Sequence, residues 1–177
     1  MATPKYLAVS QFVGKIELML GNYPQFDDFA VWVEKKYIDK VLTYEYRVKL
    51  FKDQFDHVDE EALYGRILNG LTSGWTNEAG ILVEMVGIKE MLKWFFAYEF
   101  LTTKTDQRNK ESNAETVYIN KISGARDSAN LDIVGIWNQG VEYYNQIVEY
   151  LTKQKSDTDY FDNWTYVKLE KINSFGI

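Results

Sequence analysis

The chain has no cysteine, one histidine and two prolines among its 177 residues. Without cysteine it has no disulfide and no thiolate metal ligand. With a single histidine, His57, a nucleophile paired with an imidazole base has one possible base, and that residue sits in an acidic stretch. The P-loop, the glycine-rich dinucleotide turn, HExxH and GxSxG are all missing. We therefore expect no enzyme and no cofactor. The N-terminus MATPKYLAVS lacks a charged segment followed by an apolar core, so no signal peptide is expected there. Without a secretory context, the sequon Asn163-Trp164-Thr165 reads as accidental.

Long apolar runs are also missing. The most apolar stretch, Val86 to Leu101, is 16 residues long and holds Lys89, Glu90, Lys93 and Glu99. A membrane span needs about 20 predominantly apolar residues, so none is expected. Positive charge is in deficit, with 20 Lys and Arg against 26 Asp and Glu, a net charge of −6. Broad electrostatic binding to duplex DNA needs clustered cations and is disfavoured. An acidic ring with a polar lumen stays compatible with that balance.

Aromatic residues are abundant, with 13 Tyr, 10 Phe and 5 Trp making 16% of the chain. Two readings stay open: an aromatic-rich core, or rings set in subunit and partner interfaces, where Tyr and Trp are enriched. The length fits one domain with a substantial core.

The organising stretch is Val86 to Leu101. Ile88, Met91, Leu92, Phe95, Ala97, Tyr98 and Leu101 recur at near-helical spacing, and Trp94, Phe96 and Phe100 fill much of the opposite face. A helix apolar around most of its circumference is expected at the centre of a bundle. Upstream, Thr3-Pro4 can start a first helix through Leu7, Phe12, Val13, Ile16, Met19 and Leu20, with Gly14 weakening it and Gly21-Asn22-Tyr23-Pro24 as a turn. Asp27 or Asp28 can cap a helix whose buried stripe is Phe29, Trp32, Val33, Lys36, Tyr37 and Val41. It is expected to end near Leu42-Thr43, with Tyr44 to Lys52 a further short helix or a continuation.

The acidic stretch follows, with Asp53, Asp56, Asp59, Glu60 and Glu61 around His57. The spacing does not match a calcium loop, so no metal site is expected. Asp59 reads as the N-cap of a short helix from Glu60 to Leu68, closed by Asn69-Gly70. Gly74 and Gly80 bracket a loop containing Trp75.

Thr102 to Asn130 is polar and nearly neutral, and its one extended candidate is Thr116-Val117-Tyr118-Ile119. Long polar runs are uncommon in compact domains and are usually functional or mobile, so this one reads either as a solvated surface loop or as an arm that contacts a neighbour or lines a channel. Lys104, Arg108, Lys110, Lys121 and Arg126 are its candidate contacts to a neighbouring subunit or a lumen. The last helix is expected from Asp127 to Lys153. It carries two adjacent seams, Val134, Trp137, Val141, Tyr144, Val148 and Leu151, then Ile133, Ile136, Gly140, Tyr143, Ile147 and Tyr150. From Ser156 the pattern ends. Tyr160, Phe161, Trp164, Tyr166 and Phe175 stand in an irregular tail that either folds back or docks on a partner, and docking is the expectation.

The WFFAYEFL helix, with the Gly/Thr/Trp loop before it and Gly87-Ile88-Lys89 at its start, resembles the head-to-tail connector (adaptor or ring) proteins of tailed bacteriophages, of the crAss-like type. Those proteins carry an aromatic GLK-x-x-L-x-x-F-x-Y helix, a Thr/Asn-rich stretch and a long final helix. Gly87, Ile88, Lys89, Leu92, Phe95, Ala97, Tyr98 and Leu101 match that style, Thr102 to Asn113 matches the polar run, and the likeness covers residues 26 to 155. The acidic balance departs from a DNA-gripping protein.

The helical periodicities predict an all-α protein, a bundle of four to five helices over residues 1 to 155 with a long polar loop, and a C-terminal arm over 156 to 177, and the resemblance is compatible with that fold. The resemblance implies a structural virion protein in a homo-oligomeric ring of about twelve copies, heterologous and closed. The ring would sit below the portal protein, meet further tail ring or hub proteins, and prolong the DNA channel without sequence-specific binding. It implies assembly in the bacterial host cytoplasm, no membrane partner, and an arm that reaches a partner through the tail aromatics. The alternative is a small helical scaffold or regulatory protein docking one partner through that tail.

Overall fold

In helix α1, Phe26–Lys52, the buried positions fall at Phe26, Ala30, Val33, Glu34, Tyr37, Ile38, Val41, Leu42, Tyr46 and Leu50. That is an uninterrupted helical stripe of threes and fours. The structure is a computed structural model that describes residues 4–12, 25–77, 79–110 and 129–172, and the side chains within them except at 104–110 and 129–132. Val13 to Pro24 and Thr116 to Ile119 lie outside the described residues.

Among the described residues three further α-helices follow: α2, Val58–Asn69, α3, Gly87–Lys110, and α4, Ala129–Asp157. Between α2 and α3 stands an antiparallel hairpin of β1, Leu71–Thr76, and β2, Leu82–Met85. The chain is thus mostly helical but not all-α. The stretch around Trp75, expected as a loop, is strand. Leu71 pairs with Met85 and Trp75 with Val83, with a bulge between. Gly74, at φ 73°, sits inside that bulge and breaks the two-residue alternation by which a strand is recognised.

The hairpin's base is fixed by close backbone approach. A Cβ at Gly70 would lie 2.5 Å from the Met85 carbonyl oxygen, and one at Gly87 2.4 Å from the Gly70 nitrogen. Both glycines also have positive φ, 89° and 81°, which other residues rarely adopt.

α3 packs against α1, α2 and α4. Ile88, Met91, Leu92, Phe95, Phe96 and Ala97 are fully buried. Phe95 stacks on Tyr37 of α1 at 3.9 Å and meets Trp137 of α4 edge-on at 5.4 Å. Of the two seams on α4, Val141, Tyr144, Ile147, Tyr150 and Leu151 reach the core, while Ile133, Ile136, Trp137 and Tyr143 pack at its edge. α3 continues to Lys110, so the first residues of the expected polar loop are helical.

Two tethers close the bundle. Residues before α1 pack along it, and the buried Glu34 carboxylate accepts the N–H groups of Lys5, Tyr6 and Leu7 at 3.0, 2.7 and 2.8 Å. Lys5 Nζ donates to the Leu50 and Phe51 carbonyls at 3.1 and 2.9 Å and pairs with Asp53 at 2.8 Å. A cation thus neutralises the carbonyl end of α1.

At α2 the N-cap position is His57, not Asp59. Glu60 reaches back to accept the Asp56 N–H at 2.8 Å and the Lys49 ammonium at 2.8 Å. Asp59 instead sits in the helix's first turn, where a carboxylate opposes the exposed N–H groups.

Candidate functional site: the kinked helix and the tail it holds

Thr43 interrupts α1 with φ 61° and ψ 170°. That region belongs almost wholly to glycine, and a β-branched residue there carries strain of about 1–3 kcal/mol. The expected end near Leu42-Thr43 and the expected continuation from Tyr44 are both present, as two helical arms joined at a bend. Arg47 pairs with Asp39 across the bend, eight residues away. Its guanidinium also lies over Tyr44 at 5.1 Å and Phe51 at 5.6 Å.

The bend presents carbonyl oxygens that the tail satisfies. Trp164 Nε1 donates to the Val41 carbonyl at 2.7 Å, and the Val167 N–H donates to the Lys40 carbonyl at 3.0 Å. The buried Tyr144 hydroxyl lies 2.7 Å from the Lys40 oxygen and 2.6 Å from the Val167 oxygen. Its one proton serves one of them at a time. Burial raises the pKa of Tyr144 well above the phenol range, with the Val167 backbone bond acting the other way.

The tail then runs back along α4. Lys155 Nζ donates to the Trp164 carbonyl at 3.0 Å, and Trp137 Nε1 to the Glu170 carbonyl at 2.9 Å. Asn138 clamps Ile172 twice, donating to its carbonyl at 2.9 Å and accepting its N–H at 2.7 Å. Most of these bonds read main chain, so the groove holds an extended segment with little regard to its side chains. The exceptions are two rings. Phe161 is fully buried against Tyr46 and Tyr64, at 5.2 and 5.6 Å, and Trp164 is 3% exposed.

This corrects the expected outward arm. Phe161 and Trp164 belong to the chain's own core, because the bend supplies an acceptor for the indole and α1 and α2 supply a pocket for the phenyl ring. Tyr160 is half-buried, 6.3 Å from the His57 ring. Tyr166 stacks on Trp164 at 5.3 Å and stays 46% exposed. Phe175 lies outside the described residues. Of the expected loop contacts, Lys104, Arg108 and Lys110 fall on the backbone of α3, with side chains outside the described part, and Lys121 and Arg126 lie outside it altogether. Sequence reasoning missed Tyr144, Trp137, Asn138 and Lys155 as tail ligands. The first two were assigned to packing seams, and no local signal marks a partner so far along the chain.

The acid–base candidates are dispersed. Asp53 holds Lys5 and Asp56 holds Lys49. Glu99, nearly buried, accepts the Tyr37 hydroxyl and the Lys36 ammonium. Burial first, and then Glu99, push the Tyr37 phenol far upward. Among the described residues no group of His, Asp or Glu is placed to hold a metal ion, and no helix is long and apolar enough to cross a membrane.

Among the described residues, large apolar side chains are exposed on several elements, Val58 at the start of α2 (81%) and Trp32 on α1 (44%) among them. At the hairpin tip, Ile81 and Leu82 are 59% and 68% exposed, and at the bend Tyr44 and Val167 are 70% and 50% exposed beside Tyr166. The tip is held by Asn77, whose side chain accepts the Ala79 and Ile81 N–H groups at 3.1 and 3.0 Å and donates to Glu149 of α4 at 3.1 Å. Comparison with known proteins finds no family model, no curated protein and no solved structure that matches this chain.

Proposed function

We propose that the chain is a structural subunit of a homo-oligomeric ring, the head-to-tail connector of a tailed bacteriophage, docked below the portal and extending the DNA channel. The observation that carries this reading is the exposure of large apolar side chains on unlike elements, with Ile81 and Leu82 at the hairpin tip, Val58 on α2, and Tyr44, Tyr166 and Val167 at the bend and tail. A subunit in a closed heterologous ring buries two unlike flanks, each of about 800 Å². The WFFAYEFL resemblance supplies the class of ring. Buried carboxylates support a scaffold role as well: Glu34, Glu60 and Glu99 each receive cations or N–H groups from another part of the chain. The negative net charge suits a channel in which DNA slides without being gripped.

The alternative of a binding module that presents its tail aromatics is less well supported, since Phe161 and Trp164 are occupied within the chain. Native mass spectrometry of the chain with and without the cognate portal tests the proposal. A discrete ring-sized complex, alone or with portal, is the expected result. A chain that stays monomeric in the presence of portal overturns it.

A further inference from the structure

We propose that the bend in α1 and the tail segment 164–172 form a two-state latch. In one state α1 is bent and the segment is docked; in the other α1 runs straight through Thr43 and the segment is released, with Phe161 staying in its pocket. The inference goes beyond the ring reading and does not depend on it.

Three observations carry it. First, the buried stripe of α1 keeps helical spacing through the bend, from Ile38 to Leu42, Tyr46 and Leu50. The hydrophobic pattern is therefore equally satisfied by a straight helix, and nothing in it calls for a break. Second, the bend holds Thr43 at a φ of 61° that disfavours any residue with a Cβ. Straightening removes that strain. Third, the two states compete for the same acceptors. In a straight helix the Lys40 and Val41 carbonyls point along the axis to the N–H groups of Tyr44 and Glu45. In the bent form they receive Val167 N–H at 3.0 Å and Trp164 Nε1 at 2.7 Å. The Asp39–Arg47 pair has the same character. Eight residues of straight helix separate its members by about 12 Å along the axis, so the pair exists only in the bent form.

At the Lys40 and Val41 carbonyls, the docked tail supplies donors in place of the Tyr44 and Glu45 N–H groups of a straight helix, while the bonds from α4 hold the docked state in addition. Any partner that covers Tyr166 and Val167, or pulls the tail away, would therefore change the shape of α1. Conversely, whatever straightens α1 would free the tail.

The test is the coupling between positions 43 and 164–167, read in the full chain. Thr43→Gly relieves strain in the bent form and Thr43→Ala favours continuous helix. Trp164→Phe keeps the ring and removes the donor. Hydrogen exchange at the Val167 amide reports docking. Loss of one hydrogen bond or comparable strain shifts the equilibrium roughly five- to tenfold. Exchange at Val167 is expected to rise by about that factor in T43A and W164F and to fall in T43G.

The absence of cysteine permits spin labels at D28C and K52C, two exposed positions on α1. In the T43A/W164F double variant a population with the straight-helix separation of about 36 Å is expected. Val167 exchange that is the same in T43A, T43G and the parent overturns the latch. So does an unchanged label distance in the double variant while its tail is released. Should W164F not fold, T43A and T43G decide the matter by themselves.

Discussion

Tyr6, Tyr37, Tyr64 and Tyr144 are all buried, and burial is the largest cause of the raised pKa at each. Their phenols therefore keep their protons in the folded chain well above 10.0, where the unfolded chain gives them up. Below that pH both states are protonated and the stability is fully present. Above it the unfolded state binds fewer protons than the native one, so stability falls as pH rises. Each tyrosine adds a slope of about 1.4 kcal/mol per pH unit. Lys49 acts in the same sense: the hydrogen bond to Glu60, its largest cause, raises the ammonium pKa above 10.5, and that contribution is lost above the same region. We expect cooperative alkaline unfolding, followed by circular dichroism and tyrosinate absorbance, with a steeper pH slope than in Tyr37→Phe. An identical slope in that variant would show that Tyr37 titrates freely.

At the scale of the element, α4 was the most legible part. Its two seams are visible as repeated threes and fours, and Val141, Tyr144, Ile147 and Leu151 are buried as that spacing requires. The hairpin was illegible because Gly74 and a bulge erase its alternation. Phe161 and Trp164 were legible as rings that demand burial, but their pockets lie on α1 and α2, and the indole's acceptor is the Val41 carbonyl 123 residues earlier. Backbone acceptors exposed by a bend have no sequence signature, so the tail's destination could not be read from the tail.

Gly140 shows the same limit. Within the seam it looks like a weak helix residue, yet a Cβ there would lie 3.0 Å from Phe95 Cε1. Phe95 is held between Tyr37 and Trp137 and has nowhere to yield. Gly140→Ala gains roughly 1 kcal/mol of helix propensity and suffers overpacking of about 1–3 kcal/mol. The balance is a loss of about 1 kcal/mol, read as a lower urea midpoint at unchanged slope. A raised midpoint would mean that α3 and α4 can separate slightly at that crossing.

For the whole molecule, the question is whether residues beyond α4 are an appendage or part of the fold. The expectation of a separate arm implies that removing them leaves a stable bundle. The structure argues otherwise. A chain ending at Asp157 loses Phe161, which fills the space between Tyr46 and Tyr64, and Trp164, which covers the bend. Emptying either site costs about 3–5 kcal/mol where the surroundings do not collapse. The Tyr144 hydroxyl loses its Val167 partner as well. Domains of this size are stable by about 5–15 kcal/mol, so the two losses take most of that margin. The truncated chain is expected to keep much of its helical signal, to lose the near-ultraviolet dichroism of its packed aromatics, and to unfold without a sharp urea transition. A truncated chain that unfolds cooperatively within about 1 kcal/mol of the parent would return the tail to the role of an arm. The bundle would then need another account of what fills the pocket between Tyr46 and Tyr64.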